Sequence, residues 1–219
     1  MRISRREFAG TCLTAALPWA GPAQWRVLDL GAGCALSESI AGFCRLGIRV
    51  CPEPDAAHGG LIAAGVGALT DSLARSLAEF VRGGGRLIFE SAAGFGGFDA
   101  QREMLARHFQ IGIGEPHDLA KQAPRVPYVD YLWPVKAKLR DFSRIIPVSA
   151  EEGAVIGTAG EIPMALRLGR LIFLGSPAGP ALLAGDREAR IWFRALVRAL
   201  SGSGPQARFP ISAQRRWAI

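Results

Sequence analysis

The amino-acid sequence predicts an α/β protein of three layers: a mainly parallel sheet covered by helices on both faces, with antiparallel strands added in its second half. Three observations carry this. Short apolar runs alternate with helix-spaced segments between Trp25 and Phe109. The second half turns to period-two patterning and Gly-punctuated short strands, and a strongly amphipathic helix closes the fold after Asp186.

Taken in order, Trp25 to Leu30 (WRVLDL) is a β-prone strand, and Gly31-Ala32-Gly33 turns it into a helix with Ile40, Phe43 and Cys44 on one face. Gly47 stops that helix. Ile48 to Cys51 forms the second strand, punctuated at its exit by Pro52 and Pro54. Gly60 to Ala64 is the third and ends in the loop Gly65-Val66-Gly67-Ala68-Leu69. Thr70 or Asp71 caps a helix with Leu73, Leu77, Phe80 and Val81 at helical spacing, ended by Gly83-Gly84-Gly85. Arg86 to Glu90 (RLIFE) reads as a central strand. Asp99 starts a helix with Met104, Leu105 and Phe109 on its apolar face. Alternation of this kind implies right-handed crossovers and parallel pairing.

Further along, Val135, Ala137 and Leu139 alternate with Lys136, Lys138 and Arg140, the pattern of a strand with one wet face. Ala154 to Thr158, Ile162 to Leu168 and Arg170 to Leu174 are further strands, expected as antiparallel additions. Asp186 caps the closing helix, whose buried stripe is Ala189, Trp192, Phe193, Leu196, Val197 and Leu200. The sequence contains no internal repeat.

Ser4-Arg5-Arg6-Glu7-Phe8, followed by an apolar run to Ala20, resembles a twin-arginine export signal spanning residues 1–23. Its apolar part, about a dozen residues, is shorter than the roughly 20 needed for a permanent membrane span. The resemblance implies an exported, periplasmic protein. The length left after residue 23 fits one domain, 24–200, and the Gly, Ser, Pro and Arg content from Ser201 onward reads as a flexible basic tail, 201–219. The formal charge of +7 sits largely in that signal and in Arg208, Arg215 and Arg216 of the tail. No dense basic run interleaved with aromatics marks a nucleic-acid partner. Cys34, Cys44 and Cys51 match no zinc spacing, and no motif implies a metal or other cofactor. They read as small core residues, with a Cys34–Cys51 disulfide as the pair to test in an oxidising compartment.

The order strand, helix, strand, strand, helix, GGG, strand across 25–95, completed by GRLIFLGSPAGP (169–180) and a last helix, resembles the class I glutamine amidotransferase-like superfamily. That resemblance implies a flavodoxin-like three-layer sandwich. In its catalytic members a cysteine occupies a tight strand-to-helix turn, and a histidine precedes a proline at the end of a late strand. The matching stretches here are Phe89-Glu90-Ser91-Ala92-Ala93-Gly94 and Leu174-Gly175-Ser176-Pro177, which carry Ser91 and Ser176 instead. A serine without a positioned base forgoes about 10²–10⁴-fold of assistance. Glutamine hydrolysis by the family mechanism is therefore not expected.

What remains is a non-catalytic module that binds a small molecule or an exported protein, with homo-oligomerisation left open. A serine hydrolase is the alternative, with Ser91 as nucleophile, Glu90 as a nearby acid, and an oxyanion hole made by the amide of Ala92 and one from the Gly65 to Ala68 loop, which includes Gly67. His58, His108 and His117 all fall outside the matching strand end. A second alternative rests on Val27-Leu28-Asp29-Leu30-Gly31-Ala32-Gly33, which resembles the first motif of S-adenosylmethionine-dependent methyltransferases, with Glu53 or Asp55 following the second strand. Against it, the third motif glycine is Ala35, and too few residues precede Leu61 for the strand and helix those enzymes insert. Tyr128-Val129-Asp130-Tyr131-Leu132-Trp133-Pro134 is the other candidate binding segment: Tyr128, Asp130 and Trp133 offer aromatic area with polar tips, or simply cover the sheet edge.

Overall fold

The computed structural model describes residues 25–31, 34–55, 57–92, 98–118, 128–140 and 144–202. The proposed export signal, all but the first two residues of the proposed tail, and Ala93 and Gly94 lie outside them. In chain order the elements are β1 (Trp25–Leu28), α1 (Ser37–Cys44), β2 (Arg49–Cys51), β3 (Gly60–Val66), α2 (Asp71–Arg82), β4 (Arg86–Ser91), α3 (Phe98–Phe109), β5 (Ile111–Ile113) and β6 (His117–Asp118). They continue with β7 (Tyr128–Tyr131), β8 (Ala137–Arg140), β9 (Arg144–Ile145), β10 (Val148–Ala150), β11 (Ala154–Ala159), β12 (Ile162–Leu168), β13 (Leu171–Leu174), α4 (Gly179–Leu183) and α5 (Arg187–Ser201).

Nine strands form one sheet in the order β2-β1-β3-β4-β13-β12-β11-β7-β8. The first five are parallel, with Leu28 opposite Ala63 and Phe173 opposite Phe89; the rest pair antiparallel. This is the α/β sandwich the sequence predicts, with its antiparallel strands in the second half. One orientation differs: the strand expected over Arg170 to Leu174 as an antiparallel addition is β13, the fifth parallel strand. The turn at Gly169, with φ +56°, reverses the chain between β12 and β13, so β12 carries the change of direction. All four residues of β13 are buried, as a strand covered on both faces requires.

Chain direction sets the layers. The chain leaves β1 through α1 to β2 on one side, then crosses beneath β1 to β3 and proceeds through α2 to β4 on the other. Right-handed crossovers in opposite directions place α1 and α2 on opposite faces. One core packs Phe43, Ile88, Leu174, Trp192 and Phe193 under α1, α4 and α5. The other packs Leu77, Phe80, Phe89, Leu105 and Phe173 under α2 and α3. Asp186 caps α5 by accepting from the amides of Glu188 and Ala189 at 2.8 and 2.9 Å, and the buried stripe of α5 is the predicted one. Thr70 caps α2 through its hydroxyl.

At the outer strand β8, the amide of Lys138 points away from β7 and donates to Glu188 Oε1 of α5 at 2.6 Å. The Tyr131 and Trp192 rings pack at a tilt of 31° with centroids 4.0 Å apart, and the Trp192 indole donates to the Trp133 carbonyl at 3.1 Å.

Candidate functional site

Open parallel sheets present ligand sites at the carboxyl ends of their strands, and Gly65, Gly67, Glu90, Ser91 and Ala92 all gather there. Alternation along β4 then divides them. Ile88 and Glu90 face the α1 layer, whereas Phe89 and Ser91 face the α3 layer. The two neighbours that the hydrolase reading places in one site are thus on opposite faces of the sheet.

The carboxyl of Glu90 is fully buried. Its Oε1 accepts from the amides of Ala178 at 2.8 Å and Gly179 at 3.1 Å, and its Oε2 from the Gly65 amide at 3.2 Å. Local backbone builds this cradle. A register shift in β3 between Ala63 and Val66 turns Gly65 to φ +54°, where a side chain would come within 2.8 Å of Leu36 Cβ. Gly42 of α1 meets Gly179 so closely that a Cβ on Gly42 would lie 2.0 Å from the Gly179 carbonyl oxygen, pinning the amides that face the carboxyl. The Ser39 hydroxyl lies near enough to favour the charged form, as the three amides do, although it has no partner in full hydrogen-bond geometry. Burial outweighs them and pushes Glu90 up to about 7.

On the opposite face Ser91 is also fully buried. Its Oγ accepts from Gln101 Nε2 of α3 at 2.9 Å, and no other partner reaches it among the described residues. An amide N–H cannot take a proton, so among the described residues this hydroxyl has no base. The donors proposed for an oxyanion hole are engaged as well. Ala92 N–H donates to the Val66 carbonyl at 2.9 Å, and Gly65 N–H to Glu90. Gly67 and Ala68 donate to the Cys34 carbonyl at 2.8 and 3.3 Å. The place matching the family histidine is equally closed: Ser176 is buried, and a side chain on Gly175 would lie 2.2 Å from the Ile146 carbonyl oxygen. His108 is bound to Asp71 at 2.9 Å, holding that carboxyl below its usual range, and His117 sits on β6.

Gln101 is the partner the sequence reading missed. Its signal was its position three and four residues before Met104 and Leu105, on the buried face of α3.

The aromatic segment lies elsewhere. β7 stands four strands from β4, about 19 Å at the usual strand spacing, so Tyr128, Asp130 and Trp133 do not join the residues around β4. Tyr128 is 41 % exposed, Asp130 pairs with Lys138 at 3.4 Å, and the Arg167 guanidinium sits 4.5 Å over the Trp133 ring. The edge strand is β8 rather than this one.

Among the described residues, Cys34, Cys44 and Cys51 are unpaired. The Cys34 carbonyl accepts from the amides of Gly67 and Ala68 just past β3, whereas Cys51 ends β2 on the far side of β1, and the two form no disulfide. Cys51 is a core residue, Cys34 is half-buried and Cys44, expected on the apolar face of α1, is exposed. Burial raises the Cys51 thiol, which disfavours thiolate chemistry there. Among the described residues, no group of His, Cys, Asp and Glu is arranged to hold a metal. Nor do residues 52–59 contain, as far as they are described, the strand and helix that a methyltransferase inserts.

This sheet order and these layers are those of a flavodoxin-like sandwich, and the fold is similar to class I glutamine amidotransferase-like domains. Among solved structures, the chain is similar to α-L-fucosidase isoenzyme 2 from Paenibacillus thiaminolyticus, with TM-score 0.62 and 14 % identity over 83 % of this chain and 33 % of that one. A cold-adapted β-galactosidase from Rahnella sp. R3 gives TM-score 0.58 and 13 % identity over 81 % of this chain and 31 % of that one. The chain therefore spans about a third of each of those enzymes. A glutamine amidotransferase matches with TM-score 0.52 and 15 % identity over 81 % of this chain and 98 % of its own. No family model and no curated protein matches the sequence.

Proposed function

We propose that this chain is an exported, non-catalytic amidotransferase-like domain that binds a small molecule or an exported protein partner. The observation that carries it is the seal around Ser91: the hydroxyl at the nucleophile position is buried against an amide donor, and the oxyanion donors are spent within the fold. Tyr128, Asp130 and Trp133 form the contact segment, supported by the neighbouring exposure of Leu132 at 52 % and Val135 at 40 %. Export to the periplasm rests on the resemblance of Ser4-Arg5-Arg6-Glu7-Phe8 to a twin-arginine signal.

The two halves of the proposal separate experimentally. An active-site fluorophosphonate should leave the protein unlabelled; labelling that disappears in Ser91→Ala overturns the non-catalytic reading. A thermal-shift screen of sugars and cell-envelope fragments should yield a ligand that raises the melting temperature, because only native-state binding stabilises, and Trp133→Ala should abolish that shift. Replacing Arg5 and Arg6 by lysine should retain the protein in the cytoplasm; unchanged export removes the twin-arginine assignment.

A further inference from the structure

The outer face of α5 carries a surface that the binding segment does not use. Ala189, Trp192, Phe193, Leu196, Val197 and Leu200 turn inward. At about 100° per residue, Arg187, Ile191, Arg194 and Arg198 fall within roughly 60° of one another on the opposite side, with Arg190 alongside. The three arginines at 187, 190 and 198 are exposed, and Arg194 is half-buried. Ile191, in their midst, is 53 % exposed.

Ion pairing sets this face apart. On the opposite layer Arg75, Arg102 and Arg107 each hold a carboxylate. Among the described residues, none of the four arginines of α5 does. The helix's own acid, Glu188, is turned to the Lys138 amide. The row spans about 16 Å along the helix axis. Guanidinium groups pair with phosphate oxygens through two parallel hydrogen bonds. A bare Ile at the centre of such a row gains nothing from a nucleic-acid backbone, but it gains burial at a lipid headgroup boundary. No helix among the described residues is long and apolar enough to cross a membrane, so such contact is peripheral.

We propose that the outer face of α5 docks on an anionic phospholipid bilayer, with its arginines on lipid phosphates and Ile191 at headgroup depth. The test is flotation of the full chain with vesicles of phosphatidylcholine alone or with about one third phosphatidylglycerol. Binding to the anionic vesicles only, weakening with salt, is expected. Arg190→Gln with Arg198→Gln should weaken it about 25-fold, at about fivefold per arginine, and Ile191→Ser should weaken vesicle binding while leaving heparin binding unchanged. All three positions face solvent, so melting temperatures should match the wild type. A variant with Arg208, Arg215 and Arg216 changed to glutamine should keep the vesicle contact. The proposal is overturned by absence of binding, by Ile191→Ser binding vesicles like wild type, or by a contact that is lost with the tail arginines and survives in the helix variant.

Discussion

Replacing Glu90 by glutamine tests the buried carboxyl through the pH dependence of stability. Burial raises this group from 4.5 to about 7 in the folded protein, a difference of about 3 kcal/mol between its two protonation states. Below about pH 4.5 the side chain keeps its proton whether folded or unfolded. Between there and about pH 7 only the folded chain keeps it, so stability falls as pH rises and then levels off. Glutamine does not titrate. Its Nε2 would meet the Gly65 amide donor to donor, leaving a buried polar group unsatisfied at a cost of about 1–3 kcal/mol. Glu90→Gln should therefore be clearly less stable than wild type at pH 5, and the gap should close by about 2–3 kcal/mol by pH 8. Urea unfolding of both proteins at the two pH values, compared through the midpoint and a shared slope, measures this directly. Parallel stability curves for the two proteins would refute the assignment of burial as the dominant influence on this carboxyl.

Three other perturbations have defined outcomes. Gly42→Ala forces a methyl to 2.0 Å from the Gly179 carbonyl oxygen and should destabilise by about 1–3 kcal/mol, seen as a lower melting temperature. Trp192→Ala removes the ring contact with Tyr131 and the indole bond to the Trp133 carbonyl; chemical denaturation should show a loss of about 3–5 kcal/mol. Asp186→Ala removes the acceptor for two amides at the start of α5 and should cost about 1 kcal/mol by the same measurement.

How much of this was legible depends on the range of the interactions. The buried stripe of α5 could be read because fifteen consecutive residues repeat one helical period, and α2 because Thr70 and the three glycines mark its ends. β5, β6, β9 and β10 have two or three residues each, too few to display a period, and α4 has five. The parallel setting of β13 follows from which strand it meets, a choice its own four apolar residues do not encode. In the candidate site, the sequence singled out Glu90 and Ser91 together. Their placement on opposite faces follows from the two-residue period of β4. The partners that distinguish them, Gly65, Ala178 and Gly179 for one and Gln101 for the other, lie ten to 89 residues away along the chain. Contacts of that range are fixed by topology.

The carboxylate that Glu188 extends to the Lys138 amide occupies a donor at the rim where another strand would have to attach. Sheets left open at such a rim recruit further chains and lengthen into aggregates. Here the first turn of a helix occupies that donor, so a strand approaching β8 would first have to displace the Glu188 carboxylate.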